Sequence, residues 1–414
     1  MQIYLVGGAI RDQLLGLPVA DRDWVVVGAT PSDLIKLGFQ KVGKDFPVFL
    51  HPNTHEEYAL ARTERKTGVG YTGFSFHSTP DVTIEEDLLR RDLTINAIAQ
   101  TACGKLIDPF NGQKDIKNRF LRHVSDAFAE DPLRILRIAR FSARFANQKF
   151  TIPNETRLLM NKIVSNYELR TIPAEKIWSE TEKALQSSAP EIYFHVLRDC
   201  GALAILFPEM NRLFGLPTID ESYIEMDAGI HTLLTLKIAA SLTKNIETRF
   251  ATLCHSLGQG LLSRRKWPEY EDHEKQAILL IKAMCKRLSI PNRIMELAIL
   301  VIRFHQTIHK INQLTPESIV RLFYQLDSWR KPERINQLLI ACEADARSRI
   351  EQEHITYLQA IFFVSAFETV QKISGKHLVG KGIQGLAIKE ELIRERIRVL
   401  TDWRQQQTIL PILV

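Results

Sequence analysis

The hydrophobic pattern of this chain changes once, near Asp126, and that change limits the folds it can adopt. Before it, short apolar runs rich in β-branched and aromatic residues are separated by glycine and proline, which predicts strands at residues 3–6, 24–27, 48–50, 57–61 and 106–107. Short helices are predicted at 12–15 and 31–37, the second capped by Thr30. Beyond Asp126, helical periodicity dominates. The sequence predicts an α+β protein, with a small α/β head followed by an all-α body.

Composition excludes several classes of protein. With 45% hydrophobic and 25% charged residues, the chain is neither disordered nor collagen-like. Its net charge of +6 gives only a weak indication of a polyanionic partner. The five scattered cysteines form no CxxC pair, so no disulfide framework is expected and a reducing compartment is favoured. Neither a signal peptide nor an apolar run of about 20 residues is evident, so we expect a soluble, cytoplasmic protein.

A glycine turn follows the first predicted strand. Gly7 and Gly8 come directly after it, and Arg11 stands where the next helix is expected. Glycines let the backbone approach a ligand closely, and the N–H groups at a helix start can bind phosphate oxygens. Arg11 adds charged donors. Most such turns are only tight turns, so this one indicates a phosphate site only together with other features.

Two carboxylates adjoin the next predicted strand. Asp21 and Asp23 are separated by one residue, so on a strand both would project from the same face. Converging carboxylates repel each other unless a cation lies between them, and hard oxygen ligands suit Mg²⁺. An isolated pair of this kind is more often a polar loop, but the nearby glycine turn favours a metal site.

Arginines cluster in two further segments. Arg90 and Arg91 follow an acidic run, so they form either a salt-bridged helix surface or a triphosphate clamp. In a helix predicted over residues 131–145, four arginines share one face between two apolar flanks, namely Arg134, Arg137, Arg140 and Arg144. A basic face can simply be solvated, but apolar residues on both sides favour a helix set into the protein with its charged stripe lining a cleft.

Taken in order, these segments resemble a known family. GGAIRD at 7–12, DRD at 21–23, RTERK at 62–66, RRDLTINA at 90–97, IDPFNG at 107–112 and EDPLRILRIARF at 130–141 are similar to the motifs of bacterial class II tRNA nucleotidyltransferases. These CCA-adding enzymes belong to the polymerase-β-like nucleotidyltransferases. Each motif alone is weak, but their order and spacing are specific, and the resemblance extends through most of the chain.

The resemblance implies an activity and roles for particular residues. The enzyme would add C, C and A to the 3′ end of tRNA from CTP and ATP without a nucleic-acid template. Asp21 and Asp23 would be catalytic and hold Mg²⁺ in a two-metal arrangement that activates the RNA 3′-hydroxyl and steadies the departing pyrophosphate. Gly8 and Arg11 would contact the nucleotide, and Arg91 would support its phosphates or ribose.

The resemblance also implies that side chains select the base. Asp131 would accept a hydrogen bond from the exocyclic amino group that cytosine and adenine share, and would repel the carbonyl of guanine or uracil. Arg134 would donate to acceptors on the base. Arg137 and Arg140 would contact base, ribose or phosphate in the same pocket.

The resemblance also implies a second site, which has lost one of its ligands in this sequence. Residues 221–325 resemble an HD-type phosphohydrolase domain, with His231 at its first histidine and His255 in its His-Asp doublet. Ser256 replaces the aspartate of that doublet, and a hydroxyl is a poor substitute for a carboxylate ligand. His231, His255, His273 and His305 could still bind a metal weakly, but we interpret them as packing and hydrogen-bonding residues and expect no hydrolase activity.

The expected domains are a catalytic head (1–125), a helical neck and body with the nucleotide-selecting helix (126–220), the HD-like domain (221–325) and a helical tRNA-binding tail (326–414). A linker is expected at 214–227. The alternatives are a poly(A) polymerase, a partial enzyme that adds only CC or only A, and a non-catalytic RNA-binding protein. The sequence does not determine whether the protein is a monomer or a homodimer, or which basic residues contact tRNA.

Overall fold

The computed structural model of the chain describes residues 1–42, 48–68, 73–166, 168–217, 227–261, 273–349, 354–374 and 386–409. The chain divides into two compact units, Met1–Pro208 and Glu209–Val414.

A mixed sheet forms the core of the first half of unit one. Its seven strands lie in the order β3-β4-β5-β2-β1-β8-β9, with β2 and β5 parallel and all other neighbours antiparallel. The strands β6 and β7 form a separate antiparallel hairpin. The strand bounds are β1 Gln2–Val6, β2 Asp23–Val27, β3 Gln40–Val42, β4 Val48–Leu50, β5 Glu57–Leu60, β6 Thr63–Lys66, β7 Phe74–His77, β8 Ala99–Thr101 and β9 Leu106–Ile107.

The large sheet is covered on both faces. Successive residues of a strand point to opposite faces, and in β2 Val25 packs into one apolar cluster while Val26 packs into another. Val25 and Val26 are both buried. In β1, Tyr4 belongs to the first cluster, whereas Ile3 packs against the second. The continuous apolar runs seen in the sequence are therefore explained by burial on two sides.

Helices complete unit one. Thr30 and Thr83 begin α2 and α3 with capping boxes, in which each threonine and the third helical residue exchange hydrogen bonds. The helix α5 packs against α7 and α8. The bounds are α1 Gly8–Leu14, α2 Pro31–Lys36, α3 Ile84–Leu89, α4 Gly112–Asn118, α5 Leu133–Arg144, α6 Asn154–Ser165, α7 Ala174–Leu185, α8 Pro190–Asp199, α9 Ala202–Leu206 and, at the boundary with unit two, α10 Pro208–Asn211.

Among its described residues, the regular secondary structure of unit two consists of helices. The bounds of its helices are α11 Ala228–Leu242, α12 Ile246–Cys254, α13 His273–Arg287, α14 Asn292–His309, α15 Pro316–Gln325, α16 Glu333–Arg347, α17 Leu358–Gln371 and α18 Leu386–Ile409. The helices α11, α12, α14 and α16 pack against one another, and α18 packs against α15 and α17. No helix among the described residues is both long and apolar enough to cross a membrane.

The predicted α+β class is confirmed, with differences at three segments. The helix predicted at 12–15 begins at Gly8, because the chain turns at Gly7 directly after β1. The RTERK segment, which lies outside every predicted strand, forms β6, since it pairs with β7. The helix predicted over 131–145 is α5, which starts at Leu133. Most of the expected linker (218–226) lies outside the described residues, as do residues 270–272, which directly precede His273.

Candidate active site

The register of β1 and β2 joins the glycine turn to the carboxylate pair. The two strands are antiparallel, and Val6, the last residue of β1, pairs with Asp23, the first residue of β2. Gly7 then turns the chain into α1 with φ 71°, and its N–H donates to the Ile98 carbonyl at 3.1 Å. Asp23 and Gly8 therefore lie at the same edge of the sheet.

The position of Asp21 relative to β2 differs from the predicted one. Strand alternation was expected to align Asp21 with Asp23, but β2 begins at Asp23 because β1 ends at its partner Val6. Asp21 thus precedes the strand. Even so, Asp21 and Asp23 both line one cavity of about 1110 Å³.

All of the residues predicted to bind nucleotide, or Mg²⁺ at the carboxylate pair, line this cavity. They are Gly8, Arg11, Asp21, Asp23, Arg91, Asp131, Arg134, Arg137 and Arg140. Sequence positions more than 120 residues apart therefore meet at one surface, all of it within unit one.

The carboxylate pair suits a divalent cation. Among the described residues, neither Asp21 nor Asp23 forms an ion pair. Surrounding protein displaces solvent and raises the pKa of Asp23; Arg91 opposes this shift, and the nearby Asp21 adds to it. Two carboxylates that repel each other without a partner are a fitting donor set for Mg²⁺.

Gly7 allows Arg91 to approach the turn. A Cβ at Gly7 would lie 2.9 Å from Arg91 Nη1, and the positive φ is itself unfavourable for other residues. Arg91 is held by Asp87, whose Oδ2 accepts from Nη2 at 3.1 Å, and by a longer bond of 3.4 Å to the Asn96 carbonyl. The positive φ therefore favours glycine, and a side chain at this position would shift the guanidinium of Arg91.

Arg11 lines the cavity with its donors already engaged. Its Nε donates to Asp12 at 2.9 Å and its Nη1 donates to Asn96 Oδ1 at 2.6 Å. Its guanidinium carbon lies 5.2 Å from the ring centres of Phe141 and Phe145. Burial lowers the pKa of Arg11, and Asp12 acts in the opposite direction. The expected contact of Arg11 with the nucleotide stays a prediction, while its tie to Asn96 and Asp12 is a feature of the fold.

Carboxylates from three different elements fix the arginine row of α5. Arg137 Nε donates to Asp92 Oδ2 at 2.8 Å, and Arg140 Nε donates to Glu180 Oε2 at 2.5 Å. One turn further along, Arg144 Nη2 lies 2.8 Å from Oδ2 of Asp12. The apolar flanks of the row are buried, namely Ile135, Leu136, Ile138, Ala139, Ala143 and Phe145. The row is therefore set into the protein and lines the cavity.

Arg134 is held by backbone instead. Its Nη1 donates to the Ala127 carbonyl at 2.9 Å and its Nη2 to the Arg90 carbonyl at 2.5 Å. Asp131 lies beside it, with 4.0 Å between Arg134 Nε and Asp131 Oδ2. The Leu133 N–H donates to the other Asp131 oxygen at 2.9 Å. Loss of solvent raises the pKa of Asp131, and Arg134 opposes that shift.

The β6–β7 hairpin adds a charged wall that the sequence analysis did not assign. Glu64 Oε1 accepts from Arg90 Nη1 at 2.6 Å and from Arg62 Nε at 3.0 Å. The Arg62 guanidinium carbon lies 5.0 Å from the Phe76 ring centre. Burial and repulsion from Arg90 lower the pKa of Arg62 to about 10. All four side chains line the cavity.

The resemblance assigned no binding role to the other residues that line the cavity. Most lie within the motifs already quoted, where the residue types gave a usable signal: Gly7, Arg62, Glu64, Arg90, Asp92, Asn96, Leu133 and Phe141. Arg144 belongs to the row but had no assigned role. Phe76 and Lys183 lie outside every motif, and no sequence signal pointed to them.

Unit two brings the predicted histidines to an aspartate that the sequence analysis missed. His231 Nε2 lies 3.1 Å from Asp345 Oδ1 and 3.2 Å from His255 Nε2, and His255 Nε2 lies 3.4 Å from Asp345 Oδ1. Ser256 adds its hydroxyl 2.8 Å from His255 Nε2. Nothing in the sequence linked Asp345 to this group, because it lies on α16, far along the chain.

Hydrogen bonds with surrounding residues orient the side chains of His255 and Asp345. His255 Nδ1 lies 2.6 Å from the Thr252 carbonyl, so we assign it the proton and leave Nε2 as a donor atom for a metal. Asp345 Oδ2 lies 2.8 Å from His309 Nε2. Burial would raise the pKa of Asp345, but the neighbouring imidazoles of His231, His255 and His309 hold it well below its ordinary value.

The donor set of two imidazoles and one carboxylate fits a single metal ion. Atoms bound at about 2.1 Å to one tetrahedral or octahedral ion lie roughly 3.0 to 3.4 Å apart, as the three donor atoms here do. Among the described residues, the donor atoms that lie close enough to share one ion belong to His231, His255 and Asp345 and not to His305, whose Nδ1 faces the Val301 carbonyl at 2.9 Å. Burial lowers the pKa of His305 to about 4, and His255 contributes to that shift. The His273 side chain lies outside the described residues.

The fold and the cavity define a class of protein. A mixed sheet with a glycine turn, an adjoining carboxylate pair and an arginine-lined cavity occupies the segment that matches the family described as the poly A polymerase head domain, over residues 3–122. Residues 149–214 match the probable RNA and SrmB binding site of polymerase A, and residues 229–350 match the HD domain.

Several solved structures are similar to this chain over most of its length. The CCA-adding enzyme of Bacillus stearothermophilus in complex with CTP is 22% identical, over 97% of this chain and 89% of its own, with a TM-score of 0.61. A complex of CCA-adding enzyme with ATP is 22% identical, over 96% and 86%, with a TM-score of 0.67. The Thermotoga maritima CCA-adding enzyme complexed with tRNA is 20% identical, over 96% and 87%, with a TM-score of 0.64. The chain therefore has the fold of the CCA-adding enzymes, and the resemblance drawn from its motifs is confirmed.

Proposed function

We propose that this protein is a tRNA nucleotidyltransferase that adds C, C and A to the 3′ end of tRNA, using CTP and ATP. One observation carries the proposal: Asp21 and Asp23, without ion-pair partners among the described residues, line the same cavity as the arginine row of α5. A carboxylate pair suits Mg²⁺, and anchored arginines suit a nucleoside triphosphate. The solved structures with this fold, determined with CTP, ATP or tRNA, support the same substrates.

The chain's own residues supply positioning and charge. When bound at Asp21 and Asp23, Mg²⁺ would lower the pKa of the RNA 3′-hydroxyl and stabilise charge on the leaving pyrophosphate. Arg91 lies beside the glycine turn, where it is oriented toward a phosphate or ribose. Because the arginines are already fixed by the protein, little rearrangement is needed to stabilise charge in the transition state.

Base selection is assigned to the start of α5. Asp131 presents a carboxylate to the cavity, and Arg134 beside it is fixed by backbone carbonyls. The carboxylate accepts from the amino group of cytosine or adenine and disfavours a carbonyl at that edge. Arg137 and Arg140 continue the same wall.

Products resolved at single-nucleotide length test this function. Purified protein with Mg²⁺ is given tRNA transcripts that lack one, two or three terminal nucleotides, with CTP, ATP or both. We expect extension that stops at CCA, and none from Asp21→Asn/Asp23→Asn. Asp81→Asn is the matched control, since Asp81 is exposed and outside the cavity, and it should extend normally.

The second candidate is a poly(A) polymerase, which the family descriptions of residues 3–122 and 149–214 favour by name. Long A tails on any RNA 3′ end, produced from ATP alone, would support it instead. A partial enzyme would stop after CC or would extend only transcripts that already end in CC. The proposed four-part division into head, neck and body, HD-like domain and tail would stand in each case.

We infer further that the second unit has no phosphohydrolase activity. The three donors His231, His255 and Asp345 can hold one ion, but Ser256 supplies no second carboxylate to bind or bridge a dication. Hydrolysis of p-nitrophenyl phosphate or a 2′,3′-cyclic nucleotide, with Mg²⁺, Mn²⁺, Co²⁺ or Ni²⁺ added, should stay at background. A robust rate that is lost in His255→Ala would contradict this inference.

A further inference from the structure

Lys183 is the basic residue of the cavity lining that forms no hydrogen bond or ion pair with a described residue. It lies on α7, three residues after Glu180, and residues at this spacing share a helix face. Glu180 is buried and accepts from Arg140 Nε at 2.5 Å, so this contact fixes α7 against α5 beside the cavity. Lys183 lines the cavity one turn further along, together with Arg140 and Arg144.

The other basic side chains of the cavity are engaged by the protein. Each has an acceptor in the chain, as follows: Arg11 with Asp12, Arg62 with Glu64, Arg90 with Asp87, Arg91 with Asp87, Arg134 with the Ala127 carbonyl, Arg137 with Asp92, Arg140 with Glu180 and Arg144 with Asp12. Lys183 forms no hydrogen bond or ion pair with any described residue, and it is exposed. Its ammonium group is therefore available to a ligand.

We propose that Lys183 binds a phosphate group of a substrate in this cavity. This proposal rests on the proposed function, which brings two phosphate-bearing substrates to the site. A lysine ammonium is a compact, strongly hydrated charge on a flexible stem, and it binds phosphate oxygens without a planar match. The phosphate belongs either to the polyphosphate of the incoming nucleotide or to the RNA backbone near its 3′ end.

Kinetics of Lys183→Gln separate these two sources. The variant removes the charge and keeps much of the side-chain length, and Lys183→Arg restores the charge. We expect Lys183→Gln to raise either the KM for the nucleotides or the KM for tRNA about tenfold. The kcat should stay within about twofold of wild type, since only a charged hydrogen bond to a bound phosphate is lost. A raised KM for CTP and ATP identifies the polyphosphate, and a raised KM for tRNA identifies the backbone. Lys183→Arg should recover most of the loss.

Lys176 provides the matched control. It stands seven residues before Lys183 on α7, on the same face two turns away, and it is exposed but does not line the cavity. Lys176→Gln should leave both KM values unchanged. If Lys183→Gln also leaves both KM values and kcat within twofold of wild type, or if Lys176→Gln has the same effect, the proposal is wrong.

Failure of the proposed function is distinguishable from failure of this proposal. If the wild-type protein extends no tRNA, equilibrium binding of CTP, ATP and a tRNA transcript to wild type and Lys183→Gln replaces the kinetics. About tenfold weaker binding of the nucleotides, or of the tRNA transcript, by the variant would still support the phosphate contact. Equal binding of all three would overturn it.

Discussion

Arg137 and Asp92 join α5 to the RRDLTINA segment, because Nε of Arg137 donates a hydrogen bond to Oδ2 of Asp92 at 2.8 Å. Asp92 also accepts from the Asn96 side chain at 2.9 Å, through its other oxygen. Both oxygens of a buried carboxylate are thus satisfied by side chains that line the cavity. This pair makes the position of α5 dependent on the segment that also carries Arg91.

Removing the charge of Asp92 should destabilise unit one. Asp92→Asn leaves Arg137 without its anionic acceptor, and breaking such a buried pair costs up to several kcal/mol. Because the Arg137 side chain is 37% exposed, solvent compensates in part, and we expect about 2 kcal/mol from urea unfolding. Asp81→Asn should cost much less. A loss for Asp92→Asn no larger than that control would contradict the structural role of the pair.

The same pair gives a dependence of stability on pH. Burial alone would raise the pKa of Asp92, but Arg137 and the hydrogen bonds from Asn96 and Arg137 hold it well below its ordinary value. A carboxyl whose folded pKa is depressed stabilises the protein above its unfolded pKa of about 3.9, and that contribution is lost as pH falls through the folded pKa. The difference in unfolding free energy between wild type and Asp92→Asn should be constant from about pH 5 to 8 and shrink below about pH 4. A difference that grows at low pH would have the wrong sign.

Part of the candidate site could be predicted from local patterns in the sequence. The glycine turn and Asp23 could be joined in advance, because both adjoin apolar strand runs and neighbouring strands often pair. The arginine row was visible because helical spacing is a local property. The strand position assumed for Asp21 was wrong, since the first residue of β2 depends on where its partner β1 ends, which only the pairing of the two strands determines.

Lys183 and Asp345 could not be found in the same way. Each occupies an ordinary helical position, and each reaches its site only because neighbouring helices pack in a particular register. For Lys183 that packing depends on the contact between Glu180 and Arg140. For Asp345 it depends on α11, α12 and α16 meeting around His231 and His255. Neither contact leaves a local pattern in the sequence.

Gly7→Ala should reduce activity beyond what backbone strain explains. The new Cβ would lie 2.9 Å from Arg91 Nη1, so the arginine beside the carboxylates must move. We expect kcat to fall at least about tenfold. Gly16→Ala is the matched control, because Gly16 also has a positive φ of 68° but no atom within 4 Å of the added Cβ. It should lose some stability and keep its kcat; an equal fall in kcat for both variants would rule out the proposed displacement of Arg91.

Asp131→Ala should lose discrimination between nucleotides more than it loses Mg²⁺ binding. Without the carboxylate, the amino group of cytosine or adenine has no acceptor and the carbonyl of uracil or guanine is no longer repelled. We expect the preference for CTP and ATP over UTP and GTP, measured as the ratio of kcat/KM values, to fall about ten- to a hundredfold. The Mg²⁺ concentration that gives half-maximal rate should change little. Unchanged discrimination in this variant would exclude Asp131 as the selecting group.

The length of the product on tRNA that lacks its three terminal nucleotides tests the central claim most directly. With CTP, ATP and Mg²⁺ together, the account predicts a single product three nucleotides longer, ending in CCA and absent with Asp21→Asn/Asp23→Asn. Continued addition of A beyond that point would contradict it, as would extension that persists in the variant without the carboxylate pair.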